Sequence, residues 1–218
     1  MNLSRIATFA PLGMDGARVD VESQVIPGKA RISIVGLPDG VLKEARDRVR
    51  CAIENSGFGF PKADVVVNLS PAALPKTGSG FDLAIALSIL AAAGLISADP
   101  FSGGVVIGEL GLDGTLRAIP GALAAATYTR ERRCRLFLPL RSARAAVAVP
   151  EVSVLPFRSL YEAVRFARAP GEFSPAEIPA EERVGQSRSD DAHAPVDFGD
   201  VIGQHGAKRA LEICAAGG

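Results

Sequence analysis

The spacing of apolar positions along this chain changes several times, and each change marks an element. In "ARVDVESQV", Val19, Val21 and Val25 recur with polar partners between them, and in "ARISIVG" Ile32 and Ile34 do the same. A period of two predicts half-buried strands. The "IPGK" turn between them predicts an antiparallel hairpin, with a short strand from "SRIATFA" at an edge. "DGVLKEARDRVRCAIENSGF" then switches to a helical period. Val41, Leu42, Ala45, Val49, Ala52 and Ile53 share one face, charged residues supply the other, and Gly57 closes the helix. "ADVVVNLSPA" carries an almost continuous run, Val65, Val66, Val67 and Leu69, which predicts a buried strand stopped by Pro71. "PKTGSGFDLAIALSILAAAG" follows, with an apolar helix expected from about Asp82 to Ala93.

Beyond Gly103 strands and helices alternate. Two short strands, 105–108 and 115–118, are expected across the "LDG" turn, then a helix in "GALAAATYTRERR" and a strand in "CRLFLP". "RSARAAVAV" reads as a short helix, "VSVLPF" as a strand and "RSLYEAVRFARA" as a last helix. The layout is α+β, a split β-α-β arrangement with helices covering a mixed sheet. Composition shifts after Ala169. Residues 169–195 are rich in Pro, Ser and acids and are expected to form a disordered linker. Order should return over 196–218, where residues 204–216 put Ala207, Leu211 and Cys214 on one helical stripe. A helix ending at "AAGG" has little to pack against, so it is expected to open a domain that continues beyond Gly218.

Composition adds bounds rather than direction. With 218 residues, 48% of them hydrophobic, the chain supports one sizeable packed body and an appendage. The formal net charge is zero and the pI is about 6.7, so no global nucleic-acid signature exists. Cys51, Cys134 and Cys214 form no close pair and no metal spacing, and His193 and His205 complete no metal motif. A reduced, cytoplasmic setting is expected. "MNLSRIATFAPLGMDG" has no apolar core of a secretory signal, and the apolar run over 83–96 is too short to span a bilayer. No membrane association is expected.

Three stretches invite chemical readings. "PKTGSGFDL" lacks a phosphate loop ending in Lys-Ser/Thr, and Lys76 precedes its glycines, where it cannot reach β and γ phosphates. Ser79 stands just before a helix, where a nearby lysine would make it a nucleophile. The helix after Pro120 offers Gly121, Ala122 and Leu123 at its start, and no lysine. The preferred reading is that Ser79 or Asp82 caps the helix. In "VGLPDGVLKEARDRVR", Lys43, Arg46, Arg48 and Arg50 face Glu44 and Asp47, as in a solvated helix laced with ion pairs or a contact surface. "TRERRCR" with Arg141 and Arg144 forms the strongest local positive patch. Arg130, Arg132, Arg133, Arg135, Arg141 and Arg144 are therefore candidates for phosphate or partner contact, against a solubilising helix end.

Taken jointly, "VDVESQVIPGKARISIVGLPDGVLKEARDRVRCAIENSGFGFP", "VVVNLSPAALPKTGSGFDLAIALSILAAAG", "GELGLDGTLRAIPGALAAA" and "DFGDVIGQHGAKRALEICAAGG" resemble the YifB/ComM family of magnesium-chelatase-like AAA+ ATPases. The resemblance implies that residues 1–168 take the fold shared by the Lon protease domain and ribosomal protein S5 domain 2, and that 196–218 open an ATPase module. Lon-type proteases carry their serine in Gly-Pro-Ser-Ala-Gly and a lysine in a later helix. Laid on "TGSGFD", the serine position falls at Gly80, one past Ser79, and the lysine position at or near Leu123. The implied domain is a protease fold without the dyad, accessory to an ATP- and Mg²⁺-dependent hexamer that acts on DNA by branch migration. The resemblance places Val201, Ile202 and Gly203 beside the adenine, with the phosphate loop expected after Gly218. The chain alone is expected to hydrolyse no ATP and to need no cofactor. Two alternatives are a serine hydrolase using Ser79 and a purely structural oligomerisation domain.

Overall fold

A computed structural model describes residues 3–13, 15–36, 39–74, 76, 78–178 and 203–216, with only the helical backbone of 39–43. The chain divides into two units, Met1–Ile178 and Pro179–Gly218. In the first, β1 (Leu3–Leu12), β2 (Asp15–Ile26), β3 (Ile32–Val35) and β4 (Asp64–Ser70) make a four-stranded sheet in the order β1-β2-β4-β3. Helix α1 (Asp39–Asn55) lies between β3 and β4 in sequence, and α2 (Asp82–Ala92) follows β4. The second half contributes β5 (Val105–Val106), the ribbon β6 (Glu109–Leu110) with β7 (Leu116–Arg117), and helix α3 (Ala122–Glu131). Then come β8 (Arg135–Pro139), α4 (Leu140–Val147), β9 (Ser153–Phe157) and α5 (Leu160–Arg168). β5, β8 and β9 form a parallel sheet in the order β5-β8-β9. The α+β class follows from these two segregated halves.

The front sheet departs from the hairpin expected across "IPGK". β1 and β2 pair antiparallel from Leu3↔Gln24 to Leu12↔Asp15, but β2 pairs next with β4, and β3 joins β4 in parallel. The turn after β2 is held by a distant residue. The amides of Lys29 and Arg31 donate to Asp64 Oδ1 at 2.8 and 3.0 Å, and Val65 N donates to Arg31 O at 2.8 Å. β4 thus fills the place that β3 would take in a hairpin. It is also not buried on both faces: Val65, Val67 and Leu69 are inaccessible, whereas Val66 is 37% exposed. β1 is a ten-residue edge strand rather than a short one.

Helix α2 is the centre of the larger core. Ten of its eleven residues are buried, packed against β1, β2, α1 and α5, so its sequence carries no polar face. Small hydroxyl residues on the sheet face this core. Thr8 and Ser23 are fully buried with no hydrogen-bond partner among the described residues, while Ser88 donates to Val21 O at 3.3 Å. A second cluster joins Phe9, Val105, Leu136 and Leu138 to α3 and α4. The packed body reaches past Arg168, because Phe173 rests edge-on against Phe157 and Phe166 with centroids 5.6 Å apart in both pairs. Such ring pairs are worth about 0.5–1.5 kcal/mol beyond area burial. Residues 173–178 accordingly run along the body rather than joining a linker, and Ile178 packs on the second cluster. The remaining linker positions, 179–195, lie outside the described residues.

In the second unit α6 (His205–Ala215) follows Gly203 and Gln204, and Leu211 and Ile213 are about half exposed. Among the described residues no helix is long and apolar enough to cross a membrane.

Candidate functional site

The segment 78–81 carries the chain from β4 into α2 through Gly78 at φ +82°. Neither predicted cap forms. Phe81 occupies the cap position, and the first-turn amide of Leu83 donates instead to Gly108 O at 3.0 Å, while Gly108 N returns a bond to Gly80 O at 2.8 Å. The segment between β5 and β6 thereby replaces a side-chain cap, satisfying a helix-end amide with backbone. This releases both polar side chains for other partners. Ser79 donates its hydroxyl to Glu109, whose other oxygen lies 3.5 Å from Arg117 Nη1. Asp82, 1% exposed, receives a two-pronged contact from Arg48 of α1, with Nε to Oδ2 at 2.9 Å and Nη2 to Oδ1 at 3.2 Å. Leu110 N adds a longer bond to the same carboxylate at 3.3 Å.

Burial dominates the electrostatics of Asp82. Desolvation pushes its carboxyl up to about 6 against the opposing pull of the Arg48 hydrogen bond and charge. The same bond raises the Arg48 guanidinium above its ordinary value. Lys76 is not a base for Ser79. Its buried ammonium donates to the carbonyls of Pro71 at 2.5 Å and Leu74 at 3.3 Å, and burial lowers its pKa.

The structure brings both halves of the expected dyad region together. Ser79 and Gly80 face Ile119, Pro120 and Gly121 across a cavity of about 80 Å³ that Phe9, Pro11, Phe81 and Ile107 also line. Gly121, at φ +80°, opens α3, and Leu123 is 42% exposed on its first turn. Ser79 thus meets a carboxylate, glycines and apolar side chains. The cavity is well below the roughly 300 Å³ at which small-molecule sites begin.

The six candidate arginines do not form one patch. Arg130 and Arg132 end α3, Arg133 turns the chain at φ +51°, and Arg135 starts β8. Arg132 lies 3.8 Å above the Tyr128 ring and 3.5 Å from Glu131. Arg141 and Arg144 lie on α4, at the opposite end of β8. Four steps of strand, at about 3.3 Å each, separate the groups. Arg141 instead shares a cleft with Arg117 and Arg158. Of the adenine-side residues, Val201 and Ile202 lie outside the described residues, and Gly203 forms a left-handed turn at φ +73°.

Glu109, Arg117 and Arg158 were missed in the sequence reading. A signal existed for the first two: "GELGLDGTLR" folds about its "LDG" turn so that Glu109 and Arg117 are cross-strand partners. Nothing local announces Arg158 or the pairing of Arg48 with Asp82, 34 residues apart.

Sequence comparison identifies the class. The family model described as subunit ChlI of Mg-chelatase matches residues 21–141, just over half of the chain, and the chain belongs to that family. Among curated relatives, it is 36% identical over its whole length to the uncharacterized protein YifB of Salmonella typhimurium and of Escherichia coli K12. It is 35% identical to the competence protein ComM of Haemophilus influenzae. The chain spans 42% of the length of each of these relatives. It is thus an AAA+ ATPase-related protein similar to YifB and ComM.

Proposed function

We propose that residues 1–168 are a non-catalytic, Lon-like accessory domain of a magnesium-chelatase-like AAA+ motor. In this reading 169–195 include the connection to an ATPase module whose opening is 196–218. The carrying observation is the cavity between Ser79 and the start of α3. A serine–lysine hydrolase needs a lysine within hydrogen-bond reach of its nucleophile; here Ser79 bonds to Glu109, and glycine and leucine stand at the start of the facing helix. The serine-hydrolase alternative is supported less, because no lysine faces Ser79 and the cavity beside it is small.

The longer protein is then an ATP- and Mg²⁺-dependent hexamer acting on DNA, and the relative ComM is named a competence protein. ATP would meet this chain at residues 201–203, on the adenine side. The sequence contains no Gly-x-x-x-x-Gly-Lys-Ser/Thr loop to hold its phosphates, so no hydrolytic step is assigned to these residues. The accessory domain contributes DNA contact through Arg130, Arg132, Arg133 and Arg135, with Arg141 and Arg144 as a separate group.

Electrophoretic titration of the 218-residue chain with branched and linear duplexes, at two salt concentrations, tests this reading. Binding that weakens steeply with salt is the expected result. No complex at protein concentrations of roughly tens of micromolar in low salt would refute direct DNA contact.

A further inference from the structure

The cleft that Arg141 enters lies outside the Ser79 region and has a chemistry of its own. Three segments distant in sequence build it: the β6–β7 ribbon with Asp113, Thr115 and Arg117, the start of α4 with Leu140 and Arg141, and the end of β9 with Phe157 and Arg158. Its volume is about 570 Å³, inside the range of about 300–1,000 Å³ typical of small-molecule sites.

The backbone segments that carry the three arginines are tied to one another. Leu116 N donates to Arg158 O at 2.8 Å and Leu160 N to Gly114 O at 2.9 Å, so the ribbon is stitched to the end of β9. Ile119 N donates to Ser142 Oγ at 2.9 Å, which ties the segment after β7 to the first turn of α4. Leu116 and Phe157 are buried beneath the arginines and give the cleft an apolar floor.

The charge on this wall is unbalanced. Three arginines face one carboxylate, Asp113, so the lining carries a formal charge of +2. Asp113 is already engaged: it accepts from Thr115 N at 3.0 Å and Thr115 Oγ1 at 2.7 Å, and these bonds hold its carboxyl below the usual range. Arg117 and Arg158 have carboxylate neighbours behind them, Glu109 at 3.5 Å and Glu162 at 3.2 Å, but both arginines are about 60% exposed. Exposed pairs of this kind are worth at most about 1 kcal/mol and yield readily to a better partner. Arg141 has no ion-pair partner among the described residues. Guanidinium forks match phosphate oxygens in geometry as well as charge.

We infer that this cleft binds a phosphate group, with Arg117, Arg141 and Arg158 as its ligands. The phosphate comes either from a nucleic-acid backbone or from a free phosphorylated small molecule. The cleft shares Arg141 alone with the DNA contacts proposed above, and Arg117 and Arg158 belong to it independently of that reading.

The test uses the 218-residue chain and inorganic pyrophosphate, titrated calorimetrically at constant ionic strength, with a duplex of about 20 base pairs as the second arm. Wild-type protein should bind pyrophosphate with a dissociation constant on the order of 1 mM or tighter. Arg141→Ala, at an exposed position where the fold does not depend on it, should weaken binding about tenfold. Arg158→Gln should do the same, while Lys62→Ala, an exposed cation outside the cleft, should leave it unchanged. If Arg141→Ala also weakens duplex binding and lowers the salt slope by about one, the ligand is nucleic-acid backbone. If it affects pyrophosphate alone, the ligand is a free phosphorylated molecule. Absence of pyrophosphate binding by the wild type, or equal binding by all variants, overturns the assignment. Duplex binding insensitive to Arg141, together with no pyrophosphate effect, leaves the DNA reading standing and removes this one. Arginine-dependent pyrophosphate binding without any duplex binding does the reverse.

Discussion

Replacing Arg48 by methionine isolates the ion pair that joins α1 to the start of α2. The two partners are unequally buried: the side chain of Asp82 is 1% exposed and that of Arg48 20%. Removing the arginine therefore strands the charge that water cannot reach, and breaking such a pair costs about 3–5 kcal/mol. The cost should depend on pH. In the folded chain Asp82 titrates at about 6 rather than 3.8, so the fold binds a proton that the unfolded chain has released. Its contribution to stability is fully present below pH 3.8 and is lost as pH rises through about 6, amounting to about 3 kcal/mol over the whole window. Without Arg48 the opposing hydrogen bond and charge vanish, and the carboxyl moves further up. Urea unfolding followed by circular dichroism should show Arg48→Met destabilised by about 3–5 kcal/mol at pH 7.5. At pH 4.5, where Asp82 is protonated in both folded proteins, the loss should shrink to about 1 kcal/mol, a single hydrogen bond. Arg48→Met with Asp82→Asn, which keeps an acceptor for Leu110 N, should return to within about 1 kcal/mol of wild type at pH 7.5. A destabilisation identical at both pH values, or below about 1 kcal/mol at pH 7.5, refutes the argument that a buried charge is being stranded.

Thr8→Val fills the same space without the unpartnered hydroxyl, and should stabilise the chain by about 1 kcal/mol in the same assay. Gly121→Ala places a Cβ 3.0 Å from Pro11 at φ +80°, and should lower stability by about 1–2 kcal/mol through the left-handed strain alone. Ser79→Ala should leave peptide and ester hydrolysis at the level of the buffer blank, as in the wild type; activity that the substitution abolishes would restore the hydrolase reading. Phe173→Ala should cost about 3 kcal/mol or less, since the ring is only partly buried, and a truncation at Arg168 should be less stable than one at Ile178.

Local period was enough to place α1, α2 and α5, because each is decided by residues within a few turns of one another. Partnership was not legible in the same way. "ARISIVG" correctly announces β3, yet the carboxylate that holds its approach is Asp64, 33 residues or more away. The apolar run of β4 resembled a doubly buried strand because valine at position 66 says nothing about which face is covered. The region around Ser79 was legible as a loop before a helix, and the lack of a facing lysine could be read directly. Its actual partner, Glu109, was hidden because a cap supplied by Gly108 O left the serine free to turn elsewhere. The arginines look continuous in the sequence, and only the intervening strand shows that two groups point from opposite ends of β8.

Strand β4 carries a consequence for how the domain can be made. It is the common neighbour of β2 and β3, and it is completed only at Ser70. As the polypeptide leaves the ribosome, every intermediate shorter than this holds the β1–β2 ribbon and an undocked α1. Isolated two-stranded ribbons are marginal in water. Nascent chains arrested before residue 70 should therefore be protease-sensitive along their whole length, and protection of the front half should begin only after β4 and α2 have both emerged.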